Sequence, residues 1–175
     1  MGPLRLIDEV GLDVAEDVAM TLAASFPDHM HVPSILGRML NTGLLGKKSG
    51  RGYYIHDKKK TAPNPAAASE REGSDVSRLD RAAMQRRMVL LMVNEAARCI
   101  EEKVVTKPAD VDFGMIMGAG FAPFRGGPLR YADTLGAAAI TAALREEAER
   151  YGSYFNPCQL LEEMSQSNRR FYADD

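Results

Sequence analysis

The sequence predicts an all-α protein built from two tandem copies of one helical module, the first copy lacking its beginning. Three observations predict this class. Apolar residues recur every three or four positions along most of the chain, as on one face of a helix. Strand-like sequence is confined to residues 52–55, which is too short for a sheet. Ten residues at the start return 125 positions later, which indicates an internal repeat.

Two helices are predicted in the first copy. The first begins at Asp13, because an acid three residues later completes a capping box. Its apolar face contains Val14, Val18 and Leu22. The second helix covers residues 34–42, with Pro33 in its first turn, and ends at Gly43 in the left-handed conformation that favours glycine.

A polar segment divides the chain. Residues 58–77 contain three lysines, two prolines, a run of three alanines and several small polar residues, a composition typical of linkers. The predicted organisation is a truncated first module at 1–57, the linker at 58–77 and a complete second module at 78–175. The linker offers too little apolar surface to offset the entropy lost on ordering, so we expect it to be flexible.

The second module begins with two further helices. A long one is predicted over about 79–103, with an apolar repeat that includes the core-filling methionines Met84, Met88 and Met92. The next covers about 107–117, capped by Thr106, with Pro108 in its first turn.

The repeat is clearest in two pairs of segments. GPLRLIDEVG at 2–11 and GPLRYADTLG at 127–136 match at six of ten positions. Residues 32–36 resemble residues 156–160 at an offset of 124. The nearly constant spacing indicates one module used twice.

A glycine-rich basic stretch, NTGLLGKKSGRGYY at 41–54, invites comparison with a phosphate-binding loop. Gly46 and Lys47 fit the end of the Walker A pattern, but Asn41 stands at its first glycine and Lys48 at its Ser/Thr position. The stretch also follows a helix instead of opening one. We therefore interpret it as a structural turn, whose lysines complement the C-terminal end of the preceding helix.

Composition excludes several classes of protein. A net charge of −2 and a pI of about 6.0 argue against nucleic-acid binding. No apolar run reaches the roughly 18 residues of a membrane span. Two cysteines in helical sequence suggest reduced thiols and a cytoplasmic protein. The histidines, His29, His31 and His56, fall in predicted loops without carboxylate partners at motif spacing, and two neighbouring histidines are too few ligands for a metal site.

The motifs resemble one family. GPLRLIDEVGLDVA, GLLGKKSGRGYYI, the segment from VNEAARC to YADTLG, and NPCQLLEEMSQSNRRFY occur in the order found in the C-terminal region of 3-hydroxyacyl-CoA dehydrogenases. They are most similar to the multifunctional α-subunit of the fatty-acid β-oxidation complex, which ends in two copies of the helical domain and also carries an enoyl-CoA hydratase part.

The resemblance implies an NAD-dependent enzyme whose catalytic residues lie outside this sequence. In the family a Rossmann domain binds NAD and carries a His–Glu pair, and an asparagine on the first helical module completes the site. No glycine fingerprint of that domain occurs here, so we expect no catalytic residue and no cofactor in this chain. Asn94 lies about two turns too late for the family asparagine, and we interpret it as structural.

The resemblance also suggests substrate and partners. Its Gly-Pro segment faces the acyl part of the substrate, which makes Gly2, Pro3, Leu4 and Ile7 candidate lining residues. Candidates for the phosphates of CoA are Lys47, Lys48 and Arg51. The implied partners are acyl-CoA, the Rossmann domain of the same polypeptide, a thiolase subunit and a second copy of the chain. The sequence leaves open a mitochondrial or peroxisomal location, and also a purely interacting, non-catalytic module without substrate contact.

Overall fold

The computed structural model of the chain describes residues 1–57, 60–70 and 80–172. It divides into two compact units, Met1–Ser77 and Arg78–Asp175, each with its own apolar core. Helices predominate in both, and the described strands form one small two-stranded sheet. The predicted all-α class is therefore confirmed. Within the described residues, no helix is both long and apolar enough to cross a bilayer.

Unit 1 packs its helices around a core of Leu12, Leu36, Met39, Leu44 and Ala67. Its elements are α1 (Pro3–Val10), α2 (Leu12–Ser25), α3 (Ser34–Asn41), β1 (Tyr54–His56), β2 (Thr61–Pro63) and α4 (Pro65–Ser69). The two strands pair in antiparallel register, with Ile55 opposite Ala62. As predicted, Gly43 follows α3 with a positive φ of 74°.

Unit 2 has the larger core, in which Val93, Leu129, Leu144 and Leu161 are completely buried. Its elements are α5 (Arg81–Glu101), α6 (Pro108–Ala119), α7 (Pro128–Leu135), α8 (Ala137–Tyr151) and α9 (Gln159–Ser167). Asp80 caps α5 by accepting a hydrogen bond of 2.7 Å from the Ala83 backbone N–H.

The segment predicted as a linker contributes structure to unit 1. The strand β2 and the helix α4 both lie within residues 58–77. Asn64 caps α4 and donates a hydrogen bond of 2.7 Å to the Gly52 carbonyl oxygen, while Ala67 is buried in the core. Residues 61–69 therefore belong to unit 1, because a capped helix and a buried alanine offset the entropy that composition alone suggested would dominate. Residues 58–59 and 71–77 of the predicted linker lie outside the described residues.

The buried face of α5 is not the face expected from its methionines. Met84, Met88 and Met92 are each more than 40% exposed, whereas Leu90 and Val93 are buried. The methionine stripe and the buried stripe both follow helical spacing, so periodicity alone does not select between them. The predicted role of the methionines as core fillers is wrong.

A similar difference occurs on α2. Val14, Val18 and Leu22 share one face as predicted, yet they are 43%, 53% and 39% exposed. The core contact of α2 instead comes from Leu12 and the partly buried Ala19.

The two units share an order of elements at the offset of 125. Helices α1, α2 and α3 of unit 1 correspond in length and order to α7, α8 and α9 of unit 2. Leu36 and Met39 of α3 are buried, as are Leu161 and Met164 at the same offset in α9. Gly43 and Asn168 both follow these helices with positive φ. Burial therefore aligns the third helices at 125 instead of the 124 taken from the sequence.

The two thiols are expected to react slowly in the native protein. Cys158 is 2% exposed, and burial raises the pKa of its thiol to about 12. Since the thiolate is the reactive form, alkylation of Cys158 at pH 8 should be at least about 1000-fold slower in the native than in the urea-unfolded chain. Timed alkylation with peptide mass spectrometry measures both rates, and equal rates would contradict the buried position.

Candidate functional site

The glycine-rich stretch encloses a buried carboxylate from its own unit. Asp8, on α1, is completely buried. Its Oδ1 accepts a hydrogen bond of 2.8 Å from the Tyr53 backbone N–H, and its Oδ2 accepts one of 2.8 Å from that of Tyr54. Both oxygens thus accept hydrogen bonds from the backbone around Gly52, as buried polar groups require.

Two glycines of this stretch make room for Asp8. A β-carbon on Gly52 would lie 2.2 Å from Asp8 Oδ1, and one on Gly46 would lie 2.5 Å from the Asp8 carbonyl oxygen. Between them, residues Lys47–Ser49 form a single 3₁₀ turn, and the next element is the strand β1 instead of an α-helix. A phosphate loop instead requires a helix N-terminus directed at the ligand. The described residues therefore do not fit a nucleotide phosphate here, because an internal carboxylate occupies the centre of the turn.

His56 has a carboxylate partner, contrary to the expectation from sequence spacing. Its Nε2 lies 2.8 Å from Asp8 Oδ2, and its side chain is only 8% exposed. The two residues are 48 positions apart, and β1 brings them together. The pair belongs to the core of unit 1 and contributes to the network around Asp8.

The basic residues of the stretch contact acids on α1 and α2. Lys47 Nζ lies 2.7 Å from Glu9 Oε2, and Lys48 contacts both carboxylate oxygens of Asp13. Hydrogen bonding to each lysine lowers the pKa of its partner carboxyl below the ordinary value. The lysines thus hold the turn against α1 and α2, instead of complementing the end of α3 as the sequence suggested. Arg51 is exposed.

Unit 2 contains a matching carboxylate. Asp133, at the offset of 125 from Asp8, accepts hydrogen bonds of 2.9 Å from the backbone N–H groups of Phe171 and Tyr172. In each unit, an aspartate near the end of the helix that follows the Gly-Pro motif accepts hydrogen bonds from the backbone N–H groups of two adjacent aromatic residues.

A buried carboxylate in unit 2, that of Asp112, caps α7. Asp112, on α6, accepts hydrogen bonds from the backbone N–H groups of Leu129 at 2.7 Å and Arg130 at 2.9 Å. The Tyr172 hydroxyl donates to the same carboxylate at 2.7 Å. A β-carbon on Gly127 would lie 2.3 Å from Asp112 Cβ, and Gly127 has a φ of 104°. Glycine is therefore required where α6 meets the start of α7.

Asn94 has the structural role that the sequence predicts. It is 3% exposed on α5. Its side-chain nitrogen donates to the Asn156 carbonyl oxygen at 2.9 Å, and its side-chain oxygen accepts from the Cys158 N–H at 2.9 Å. Both ends of the amide are used to hold the segment that leads into α9.

The predicted substrate-lining residues lie at the start of α1. Gly2, Pro3 and Leu4 are exposed, with Leu4 at 44%, and Ile7 packs partly against the core of unit 1. The basic candidates Lys47 and Lys48 contact Glu9 of α1 and Asp13 of α2, respectively. The residue before α1 is Gly2, which has no side chain to cap the helix.

His29 and His31 follow α2 in the segment before α3, and the rings of Phe26 and His29 make a tilted contact with 5.4 Å between their centroids. Within residues 1–57, 60–70 and 80–172, no three His, Cys, Asp or Glu side chains lie close enough together to hold a metal ion.

Sequence reasoning missed Asp8, Asp112 and Asp133, which organise both units. A signal for two of them was present. The two Gly-Pro segments have an aspartate at the same position, Asp8 in one and Asp133 in the other. An identical charged residue in both segments indicates a specific polar contact. Asp112 lies outside the two Gly-Pro segments, so comparison of those segments gives no signal for it.

The chain is similar to one known protein family and to solved structures of dehydrogenases. The model of the 3-hydroxyacyl-CoA dehydrogenase C-terminal domain matches residues 1–56 and 73–171. Among solved structures, 3-hydroxybutyryl-CoA dehydrogenase from Escherichia coli K12 is similar with a TM-score of 0.70 at 20% identity, over 95% of this chain and 51% of that chain. The dehydrogenase part of multifunctional enzyme 1 from C. elegans is similar with a TM-score of 0.66 at 24% identity, over 93% and 38%.

This chain thus spans about half or less of the length of those solved chains, and the likeness to them shows the fold. The family assignment comes from the domain model, which matches most of the sequence in both units. The chain belongs to the 3-hydroxyacyl-CoA dehydrogenase family, as a form of its helical C-terminal domain.

Proposed function

We propose that this chain is the non-catalytic helical part of an NAD-dependent 3-hydroxyacyl-CoA dehydrogenase of fatty-acid β-oxidation. The intact enzyme oxidises the 3-hydroxyl group of an acyl-CoA to a ketone, and a Rossmann domain elsewhere in the polypeptide binds NAD and supplies the catalytic pair. The observation that carries the proposal is the family match over both units.

The hydrogen bonds of four buried or partly buried polar side chains support a non-catalytic role. Asp8, Asp112, Asp133 and Asn94 each bond backbone groups in their own unit. General acid–base chemistry needs a side chain that can reach a substrate proton, and these side chains are committed to holding the fold. The glycine-rich stretch does not fit NAD phosphates, since it encloses Asp8.

In this proposal the helical part positions the substrate and excludes water from the reacting groups. The start of α1, with Pro3 and Leu4, contributes an exposed apolar surface for the acyl part. The matching element order and carboxylates support the proposal that the two units are copies of one module, of which unit 2 has the fuller set of helices.

An interaction module is the second candidate function. The exposed apolar side chains of α1 and α2 favour it, because contiguous apolar surface on a soluble protein commonly marks an interface. On this account the chain joins domains or subunits and makes no contact with substrate.

Two measurements on the full chain separate these candidates. Calorimetric titration with a medium-chain acyl-CoA should show weak saturable binding if α1 lines the acyl site, and Leu4→Asp should weaken it. Sedimentation of the chain alone gives its mass. No acyl-CoA binding together with a dimeric mass would favour the interaction module and contradict a substrate-lining role.

Replacing Lys47 and Lys48 with alanine is expected to change the acyl-CoA affinity of the full-length enzyme by less than about tenfold, or 1.4 kcal/mol. Both lysines are already paired with acids, and exposed ion pairs contribute little. Titration of both proteins, with melting temperatures as a control, measures the effect. Loss of CoA binding at an unchanged melting temperature would instead assign the lysines to the CoA phosphates.

A further inference from the structure

One side of α5 carries three methionines that are open to solvent. Met84, Met88 and Met92 are 47%, 42% and 43% exposed. They stand four residues apart, and because four residues make slightly more than one helical turn, their side chains form a single line along the helix, called here the methionine stripe. Leu90 and Val93 of the same helix are buried in the core of unit 2. The methionine stripe therefore lies on the part of α5 that does not pack into this core.

Burial separates the methionine stripe from methionines elsewhere in the chain. Met39 is completely buried in the core of unit 1, and Met164 is 3% exposed in unit 2. Met20, on α2, and Met117, on α6, are exposed. Each of them is the one exposed methionine of its helix, and the structure describes every residue of both helices. The chain thus offers buried methionines and single exposed ones for comparison with the stripe.

The two cysteines are poorly placed to react with a dissolved oxidant. Peroxide reacts with the thiolate form of cysteine. Burial raises the pKa of the Cys99 thiol above its ordinary value, and it raises the pKa of Cys158 to about 12. A methionine sulfur has no proton to lose, so its lone pair can attack peroxide without a change of protonation. Exposure then decides which thioethers react, and it favours the methionine stripe.

We propose that the methionine stripe of α5 is a site of reversible oxidation, at which hydrogen peroxide converts the thioethers to sulfoxides. In each step the sulfur lone pair forms a bond to one peroxide oxygen, the O–O bond breaks, and the other oxygen leaves as water. The sulfur loses two electrons and the peroxide gains them. In the reverse reaction a thiol-dependent reductase removes the sulfoxide oxygen as water, while two thiols are oxidised to a disulfide.

Oxidation of the stripe changes the polarity of a surface without entering the core. A sulfoxide oxygen accepts hydrogen bonds from water, whereas a thioether sulfur is only a weak acceptor. Leu90 and Val93, which hold α5 in unit 2, contain no sulfur. Unit 2 therefore keeps its packing while one line of α5 turns from apolar to polar. This property goes beyond the proposed function, because it requires neither NAD nor acyl-CoA.

Timed oxidation of the full chain with hydrogen peroxide tests the site. Peptide mass spectrometry measures the gain of oxygen at each methionine in the native and in the urea-unfolded chain. The stripe should oxidise in the native chain within about fivefold of its unfolded rate, whereas Met39 and Met164 should be at least about tenfold slower in the native chain. Stripe methionines that oxidise as slowly as Met39 would overturn the proposal, because their face would then be covered.

A leucine variant isolates the contribution of the stripe to surface polarity. Met84→Leu, Met88→Leu and Met92→Leu together keep the stripe apolar and helical but remove its sulfur, since leucine and methionine are similar in volume and helix propensity. Retention on a hydrophobic-interaction column should shorten after peroxide treatment of the natural chain. Methionine sulfoxide reductases with a thiol reductant should restore it. Most of the shortening should be absent from the leucine variant.

The pH dependence separates thioether from thiol chemistry. The peroxide-induced change in retention should develop at the same rate at pH 6 and pH 7, because a thioether does not titrate, whereas a thiol-dependent change would be about tenfold slower at the lower pH. Circular dichroism should stay unchanged throughout, since the core of unit 2 is not touched.

Three further results would contradict the proposal. One is an equal change in retention in the leucine variant, which would assign the change to Met20, Met117 or a cysteine. Another is a change that the reductases do not reverse. The third is a loss of helical signal on oxidation of the stripe, which would place these methionines in the packing of unit 2. None of these results bears on NAD or acyl-CoA binding, so failure here is distinct from failure of the proposed function.

Discussion

Replacing Asp8 with alanine is expected to destabilise unit 1 by about 3–5 kcal/mol. A loss of this size is comparable with the whole free energy of unfolding of many small domains. The change leaves the Tyr53 and Tyr54 amides and the His56 ring without their shared acceptor in a buried site. Unsatisfied buried donors lose their hydration without a replacement bond. Urea unfolding followed by circular dichroism measures the free energy of unfolding.

Asp13→Ala is the control for this variant. Asp13 is also an acid paired with a cation, but the side chains of Asp13 and its partner Lys48 are both nearly half exposed. Its replacement should shift the unfolding midpoint very little. Equal unfolding midpoints for the Asp8→Ala and Asp13→Ala variants would contradict the importance of the buried Asp8 carboxylate for the stability of unit 1.

Gly52→Ala is expected to have the second largest effect, a loss of about 3 kcal/mol or more. The added carbon would lie 2.2 Å from Asp8 Oδ1 and 2.7 Å from Gly46 Cα. Neither neighbour is the free end of a flexible side chain, so the loop must move off the carboxylate. The unfolding free energy should fall, and the Tyr53 and Tyr54 amides should exchange faster with solvent.

Gly50→Ala is the control that separates the cost of this steric clash from the cost of backbone strain alone. Gly50 lies two residues away with φ of 78°, but an added carbon meets nothing within 4 Å. Only the cost of a left-handed alanine remains, about 1–2 kcal/mol. A larger effect at position 50 than at position 52 would contradict the wrapping of the loop around Asp8.

Local signals predicted the helices well. The helix expected at 34–42 is α3, Ser34–Asn41, and the one expected at about 107–117 is α6, Pro108–Ala119. Proline in the first turn and glycine beyond the end act within a few residues, so sequence alone carries them. Lys107, and not Thr106, is the residue before α6, a shift of one position.

Contacts between distant residues were beyond such reasoning. Asp8 meets Tyr53, Tyr54 and His56 only because α1, the glycine-rich loop and β1 converge. The exposed methionines of α5 show the same limit, since two faces of one helix are apolar and tertiary packing selects between them. The glycines were correctly interpreted as structural, but what they accommodate required the position of Asp8.

Calorimetric titration of NAD into the full chain tests the central claim most directly. The chain is proposed to be the helical part of a dehydrogenase, without the glycine fingerprint and acidic ribose partner that bind the dinucleotide. No saturable heat should appear up to millimolar NAD, and added 3-hydroxyacyl-CoA should produce no NADH absorbance. Saturable NAD binding, or NADH formation by this chain alone, would contradict the account.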